Sequence, residues 1–201
     1  MSWIRTIPRD EAEGPLAALY RRIAGADGHV DNILEAHSLR PHTLEGHMTL
    51  YKHVLHHVRN TVPSWVLELL GVYVSQLNGC AYCVEHHAAG LGRLLGDELR
   101  LRSLRAALEA RDWTDVVDTK VAAALVYAGR LTEHPARVAE HDVAALREAG
   151  WTDGEVLEIN QVVAYFAYAN RTVLGLGVAL DDGPLGLSPN DADDPENWAH
   201  R

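Results

Sequence analysis

Apolar positions recur at helical spacing along most of the chain. Leu16, Leu19, Tyr20 and Ile23 form one stripe of a helix expected over Glu11 to Ala24, which Gly25, Asp27 and Gly28 break. A second apolar stretch, Val30 to Ala36, stops near Pro41. Leu44, Met48, Tyr51, Val54, Leu55 and Val58 then carry a helix over Leu44 to Asn60, punctuated by Pro63. Ser64 to Asn78 reads as a mostly buried helix, and Gly79 precedes a further helix running to about Leu95. Leu99 to Glu109, Asp115 to Leu131 and Glu140 to Ala149 follow. Thr152-x-x-Glu155 has the capping-box spacing and opens a helix to about Asn170. No strand-like alternation competes, so the fold class expected is all-α.

An internal echo qualifies this picture. Val66-Leu67-Glu68-Leu69 and Val156-Leu157-Glu158-Ile159 stand 90 residues apart in similar helical context, which suggests two related helical lobes. In that register Asn170 falls where the first lobe has Cys80. We expect one helical domain over 1–180, with its core at about 44–131. An irregular acidic tail is expected over 181–201, solubilising or making oligomer contacts, with its Trp198 placed to dock on the body.

With 201 residues and 47% hydrophobic composition, the chain suits one packed domain. The formal charge of -10, without a basic patch, disfavours nucleic acid as a partner. The start has no long apolar core of a signal peptide, and no run of about 18 apolar residues suggests a membrane span. A cytoplasmic location is therefore expected. The two cysteines are three residues apart, so a disulfide between them would close too small a loop to serve as a structural staple.

Their context is chemical. Leu77-Asn78-Gly79-Cys80-Ala81-Tyr82-Cys83-Val84-Glu85-His86-His87 contains Cys-x-x-Cys-x-x-x-His after an apolar helix. At about 100° per residue, Cys80, Cys83 and His87 share one helix face. A helix N-terminus and a nearby histidine both favour thiolate, the form that attacks a peroxide O–O bond. The resulting sulfenic acid is captured by a second thiol. His87 is the candidate base. Glu68, 12 residues before Cys80 among apolar neighbours, is placed to fix the histidine's tautomer; as an alternative it is a surface glutamate near a helix start. His53, His56 and His57, with His86, are read as solvated helix faces. Asn170-Arg171 either packs the second lobe or lines the pocket.

These residues resemble the AhpD-like alkylhydroperoxidases of the carboxymuconolactone decarboxylase superfamily, in particular their peroxidase-related branch. The resemblance rests on Glu68, Leu77 to Cys83 and His87. It extends to Arg40-Pro41, Leu146 to Asp153, and Phe166 through Asn170-Arg171 to Val178. It implies an AhpD-like helical fold, homo-oligomers and reduction of hydrogen peroxide or alkyl hydroperoxides, with Cys83 as peroxidatic thiol and Cys80 as resolving thiol. It further implies a His87/Glu68 proton relay. Tyr82 departs from the pattern, standing where the best-studied members carry a histidine. The expected partners are a small peroxide and an external thiol reductant; no cofactor or metal is expected. Two alternatives stay open: a lactone enzyme like other members of the superfamily, and a non-enzymatic redox or zinc sensor, for which Cys-x-x-Cys plus histidine supplies half a zinc site.

Overall fold

The computed structural model describes residues 2–25, 28–189, 194 and 196–200. Asp27 of the expected helix break, and 190–193, 195 and 201 of the expected tail, lie outside the described residues. Among those described the fold is all-helical: α1 (Gly14–Ile23), α2 (Asn32–Glu35), α3 (Pro41–Leu55), α4 (Ser64–Leu77), α5 (Ala81–Leu95), α6 (Glu98–Ala110), α7 (Thr119–Glu133), α8 (Glu140–Glu148) and α9 (Asp153–Leu176). Among the described residues no helix is long and apolar enough to cross a membrane.

Local chemistry sets the helix ends. Asp97 accepts from Leu99 N and Arg100 N at the start of α6, and Asp118 accepts from Val121 N at the start of α7. Thr152 and Glu155 form the reciprocal capping box that their spacing predicts, opening α9. Two boundaries differ from expectation by five residues or more. α3 stops at Leu55 rather than Asn60, because the Asn60 amide turns back to donate to Val54 O at 2.8 Å and satisfies a terminal carbonyl. α9 runs beyond Asn170 to Leu176, where Gly177 takes the left-handed conformation (φ 60°).

α4 is the axis of the molecule. Every residue from Val66 to Ser75 is buried, as expected for a helix whose apolar side chains surround it on all faces. It packs against α5, α7 and α9. Gly71 lets α9 approach, since a Cβ there would overlap the Phe166 ring. The one acidic side chain on this buried stretch is Glu68.

The segment after α9 has no helix but returns to the body. Asp181, Trp198 and His200 are buried, Trp198 lies under the Arg22 guanidinium at 3.6 Å, and His200 N donates to Ile23 O. The expected tail is thus anchored to the body at Asp181, Trp198 and His200, while Asp182, Gly183 and Pro184 stay exposed.

Candidate active site

The turn between α4 and α5 fixes both cysteines. Gly79 has φ 70°, a conformation that glycine adopts at no steric cost. It lets Gly79 N donate to Gln76 O and Cys80 N donate to Ser75 O, the paired bonds that close a helix C-terminus. Cys80 therefore ends one helix and is the N-cap of the next, and Cys83 sits in the first turn of α5. Both thiols are free and buried, with their sulfurs hydrogen-bonded at 2.9 Å. A disulfide needs about 2.05 Å, so less than an ångström of movement joins them.

The pair shares a proton unevenly. The hydrogen bond from the Cys83 thiol lowers the Cys80 pKa; burial opposes this, and the Cys83 backbone N–H and the Asn170 carboxamide add to the lowering. The same bond, with burial, pushes the Cys83 thiol up. Of the two sulfurs, Cys80 is therefore the one that more readily carries a negative charge, and Cys83 the one that more readily keeps its proton. Asn170 is fully buried, accepts from Asn78 Nδ2 at 2.9 Å and donates to Ser75 Oγ at 3.0 Å. Arg171 points away, donating to Ala167 O at the surface.

Glu68 and His87 meet as the sequence reading placed them: Nδ1 of His87 lies 2.7 Å from Glu68 Oε2. Burial alone would raise the Glu68 pKa, but the His87 imidazole, its hydrogen bond, His56 and Arg93 together bring it below the ordinary range. An ionised carboxylate only accepts, so Nδ1 carries the hydrogen and Nε2 is the basic nitrogen. The Phe166 ring stands edge-on to His87 at 4.5 Å and holds its plane. Among the described residues no hydrogen bond joins His87 to either sulfur.

The expected solvated histidines divide. His53 and His57 stack on each other at 5.3 Å toward solvent, whereas His56 turns inward, its Nε2 3.9 Å from Glu68 Oε1. Burial drives its pKa down to about 4. His86 corrects the reading outright: it is buried, and its Nε2 lies 2.9 Å from Asp181 Oδ2, the oxygen that also accepts from Tyr82 OH at 2.7 Å. Tyr82 and His86 are four residues apart and stack on one face of α5, which sequence periodicity could have shown. Their partner Asp181, 95 residues past His86, carried no such signal. Cys80 and Cys83 belong to no cluster of three metal-type ligands among the described residues.

Cys83, His87 and Glu68 line one inner cavity of about 40 Å³, whose wall also includes Tyr51, Tyr165 and Gly186–Ser188. Cys80 does not reach it. A larger outer cleft of about 380 Å³, lined by His56, Arg93 and Leu94, abuts the same Glu68 and the same residues 186 and 188. Arg93 donates to Gly186 O and Leu185 O, pinning the strip that separates the two spaces.

No family model matches this sequence, and no curated protein does. Solved structures do. An uncharacterized peroxidase-related protein from Ralstonia eutropha JMP134, described as an alkylhydroperoxidase AhpD core, superposes with a TM-score of 0.78 at 21% identity, over 90% of this chain and 93% of that one. A peroxidase-related protein from Silicibacter sp. TM1040 gives 0.72 at 23% identity, over 90% and 89%. The debrominase Bmp8, as a cysteine-to-alanine variant with 2,3,4-tribromopyrrole, gives 0.66 at 17% identity, over 88% and 90%. The fold of this chain is the AhpD fold.

Proposed function

Given an AhpD-fold chain with two free thiols beside an ordered histidine, we propose that it is an AhpD-like, peroxidase-related protein and acts as a thiol-dependent peroxidase. The observation that carries this reading is the convergence of Cys83, His87 and Glu68 on one small cavity, with the Cys80 sulfur 2.9 Å behind that of Cys83.

The cycle starts from the Cys80 thiolate and Cys83 thiol. Transfer of the shared proton to Cys80 puts the anion on the cavity-facing sulfur, Cys83. That thiolate attacks the distal peroxide oxygen, the O–O bond breaks, and Cys83 becomes a sulfenic acid while the alkoxide leaves. Imidazolium at His87, ordered by Glu68, protonates the alkoxide to the alcohol. Cys80 then attacks the sulfenic sulfur as its thiol proton passes to the displaced hydroxide, which departs as water and leaves a Cys80–Cys83 disulfide. Two electrons pass from the thiols to the peroxide, and one proton is taken from solvent for each turnover. An external dithiol, by exchange, returns the pair to its starting state.

Tyr82, between the cysteines, is committed to Asp181 and its pKa is raised well above the ordinary value by burial and the nearby carboxylates. It takes no proton in this scheme, which leaves the work to His87. The deciding experiment is intact-mass analysis of the reduced chain after one equivalent of hydrogen peroxide. The mass of two hydrogens should be lost and restored by a dithiol. A chain that stays fully reduced while peroxide persists would refute the reading.

A further inference from the structure

Beside Tyr82 and His86 of α5, two buried carboxylates face each other. Asp31 lies just before α2 and Asp181 just after α9, and both are buried. The ion pairs they make among the described residues are all with histidines. Removing two carboxylates from water without a strong cation is costly, so the placement of every oxygen matters.

The Oδ2 atoms are turned to outer partners. Asp181 Oδ2 accepts from Tyr82 OH and pairs with His86 Nε2, while Asp31 Oδ2 faces His200 Nε2 at 3.9 Å. The Oδ1 atoms are turned inward toward a third group, and Asp181 Oδ1 also accepts from Asn32 N at 2.8 Å on one of its two lone pairs. His29 Nε2 stands 3.3 Å from Asp31 Oδ1 and 3.5 Å from Asp181 Oδ1. One imidazole nitrogen offers at most one hydrogen, and both separations exceed the roughly 2.7–3.2 Å of a good N–H···O bond. They match another geometry. Donors about 2.1 Å from a shared tetrahedral cation stand about 3.4 Å apart along each edge. All three atoms lie within 4.8 Å of one another.

We infer that His29 Nε2, Asp31 Oδ1 and Asp181 Oδ1 form a three-donor site for a divalent transition cation, distinct from the thiol pair. One imidazole with two carboxylates suits zinc and its first-row neighbours. His86, Tyr82 and His200 then occupy the outer positions that orient ligating carboxylates in metal sites. The bound ion offsets the buried negative charge and clips the segment after α9 to the loop before α2. That clip stabilises one wall of the inner cavity, because Asp31, Tyr82, His86 and His200 all line it. The inference does not depend on the peroxidase reading.

The test uses the full-length Cys80→Ser/Cys83→Ser chain, so that no thiol can bind the probe. After equilibrium dialysis against zinc, elemental analysis should find one equivalent per chain, and zinc should raise the melting temperature. Adding His29→Ala should weaken binding by at least about tenfold and remove the thermal shift; Asp31→Asn should do the same. His29 is a quarter exposed, so its truncation is the variant least disruptive to folding, with far-UV circular dichroism as the check. A cysteine-free chain that retains no zinc overturns the inference. So does undiminished binding and thermal shift in the folded His29→Ala variant.

Discussion

The Cys80 and Cys83 sulfurs lie 2.9 Å apart, yet only Cys83 opens on the inner cavity. Electrostatics and access thus point to different sulfurs: the hydrogen bond favours the anion on Cys80, while a substrate in the cavity meets Cys83. Access decides which sulfur is oxidised first, because proton exchange over one hydrogen bond is easy and passage through packed protein is not. Cys83→Ser should abolish peroxide consumption, and Cys80→Ser should accumulate a sulfenic acid at Cys83 that a dimedone-type reagent traps. Cys83→Ala should raise the Cys80 thiol pKa, read by ultraviolet thiolate absorbance, since it removes the largest lowering cause. A sulfenic acid trapped on Cys80 instead would reverse the two roles.

Glu68→Gln keeps the shape of the α4 side chain but can present an N–H to His87 Nδ1. The ring then loses the partner that selects its tautomer, and proton transfer suffers. We expect peroxide turnover to fall about 100-fold with the helical content intact. A rate within a factor of about two of the parent would show that the pair is structural only.

Several buried histidines are neutral by virtue of burial: His47 is driven down to about 3 and His56 to about 4, from an ordinary 6.5, and His37 and His200 are also lowered. The unfolded chain binds these protons below pH 6.5 while the folded chain refuses them to lower pH, down to about 4 at His56 and about 3 at His47, so stability falls as pH drops below 6.5. Each such group contributes a slope of up to about 1.4 kcal/mol per pH unit, enough for a few of them to unfold a domain of ordinary stability before pH 4. Glu68 and Asp181, with depressed pKa values, add their loss at still lower pH. Denaturant titrations at pH 7, 6 and 5 should show the decline, and His47→Phe should flatten it. Equal stability at pH 7 and 5 would contradict the assignment of these rings as neutral.

The helices were legible because their periodicity and caps are local: Thr152 with Glu155, or Gly79 ending α4, act within one turn. The Cys80, Cys83, His87 and Glu68 set was legible for the same reason, lying on one hairpin of α4 and α5. His86 was misread because its partner is Asp181, a contact that no spacing encodes. Asn170 reached the site through α9, and the faint echo between Glu68 and Glu158, with the resemblance at Asn170-Arg171, pointed to it. Glu158 itself went elsewhere, accepting from Thr61 N and Val62 N ahead of α4.

Gly71 connects packing to the site. A Cβ there meets Phe166, and Phe166 holds the His87 ring. Gly71→Ala should cost about 1–3 kcal/mol in denaturant unfolding and also slow turnover by shifting that ring. Loss of stability with an unchanged rate would mean that Phe166 yields without moving His87.

If the chain acts as the proposed peroxidase, the inner cavity is expected to set substrate size. At about 40 Å³ it holds about three water-sized molecules at ~10–15 Å³ each, which admits hydrogen peroxide but not a bulky aromatic hydroperoxide. The larger cleft beyond has that room, and the strip at Gly186–Ser188 stands between. Gly186, at φ 71°, is packed so tightly that an added Cβ would lie 2.5 Å from Gly90 N, so the strip cannot thin by rearranging in place. It must swing away, and the Arg93 bonds to Leu185 O and Gly186 O oppose that. Arg93→Ala should therefore raise the ratio of kcat/KM for cumene hydroperoxide to that for hydrogen peroxide. Arg93 also helps keep Glu68 ionised, so both rates can fall together; the ratio removes that shared effect. A ratio equal to that of the parent would place the size filter in the aromatic wall of Tyr51 and Tyr165 instead.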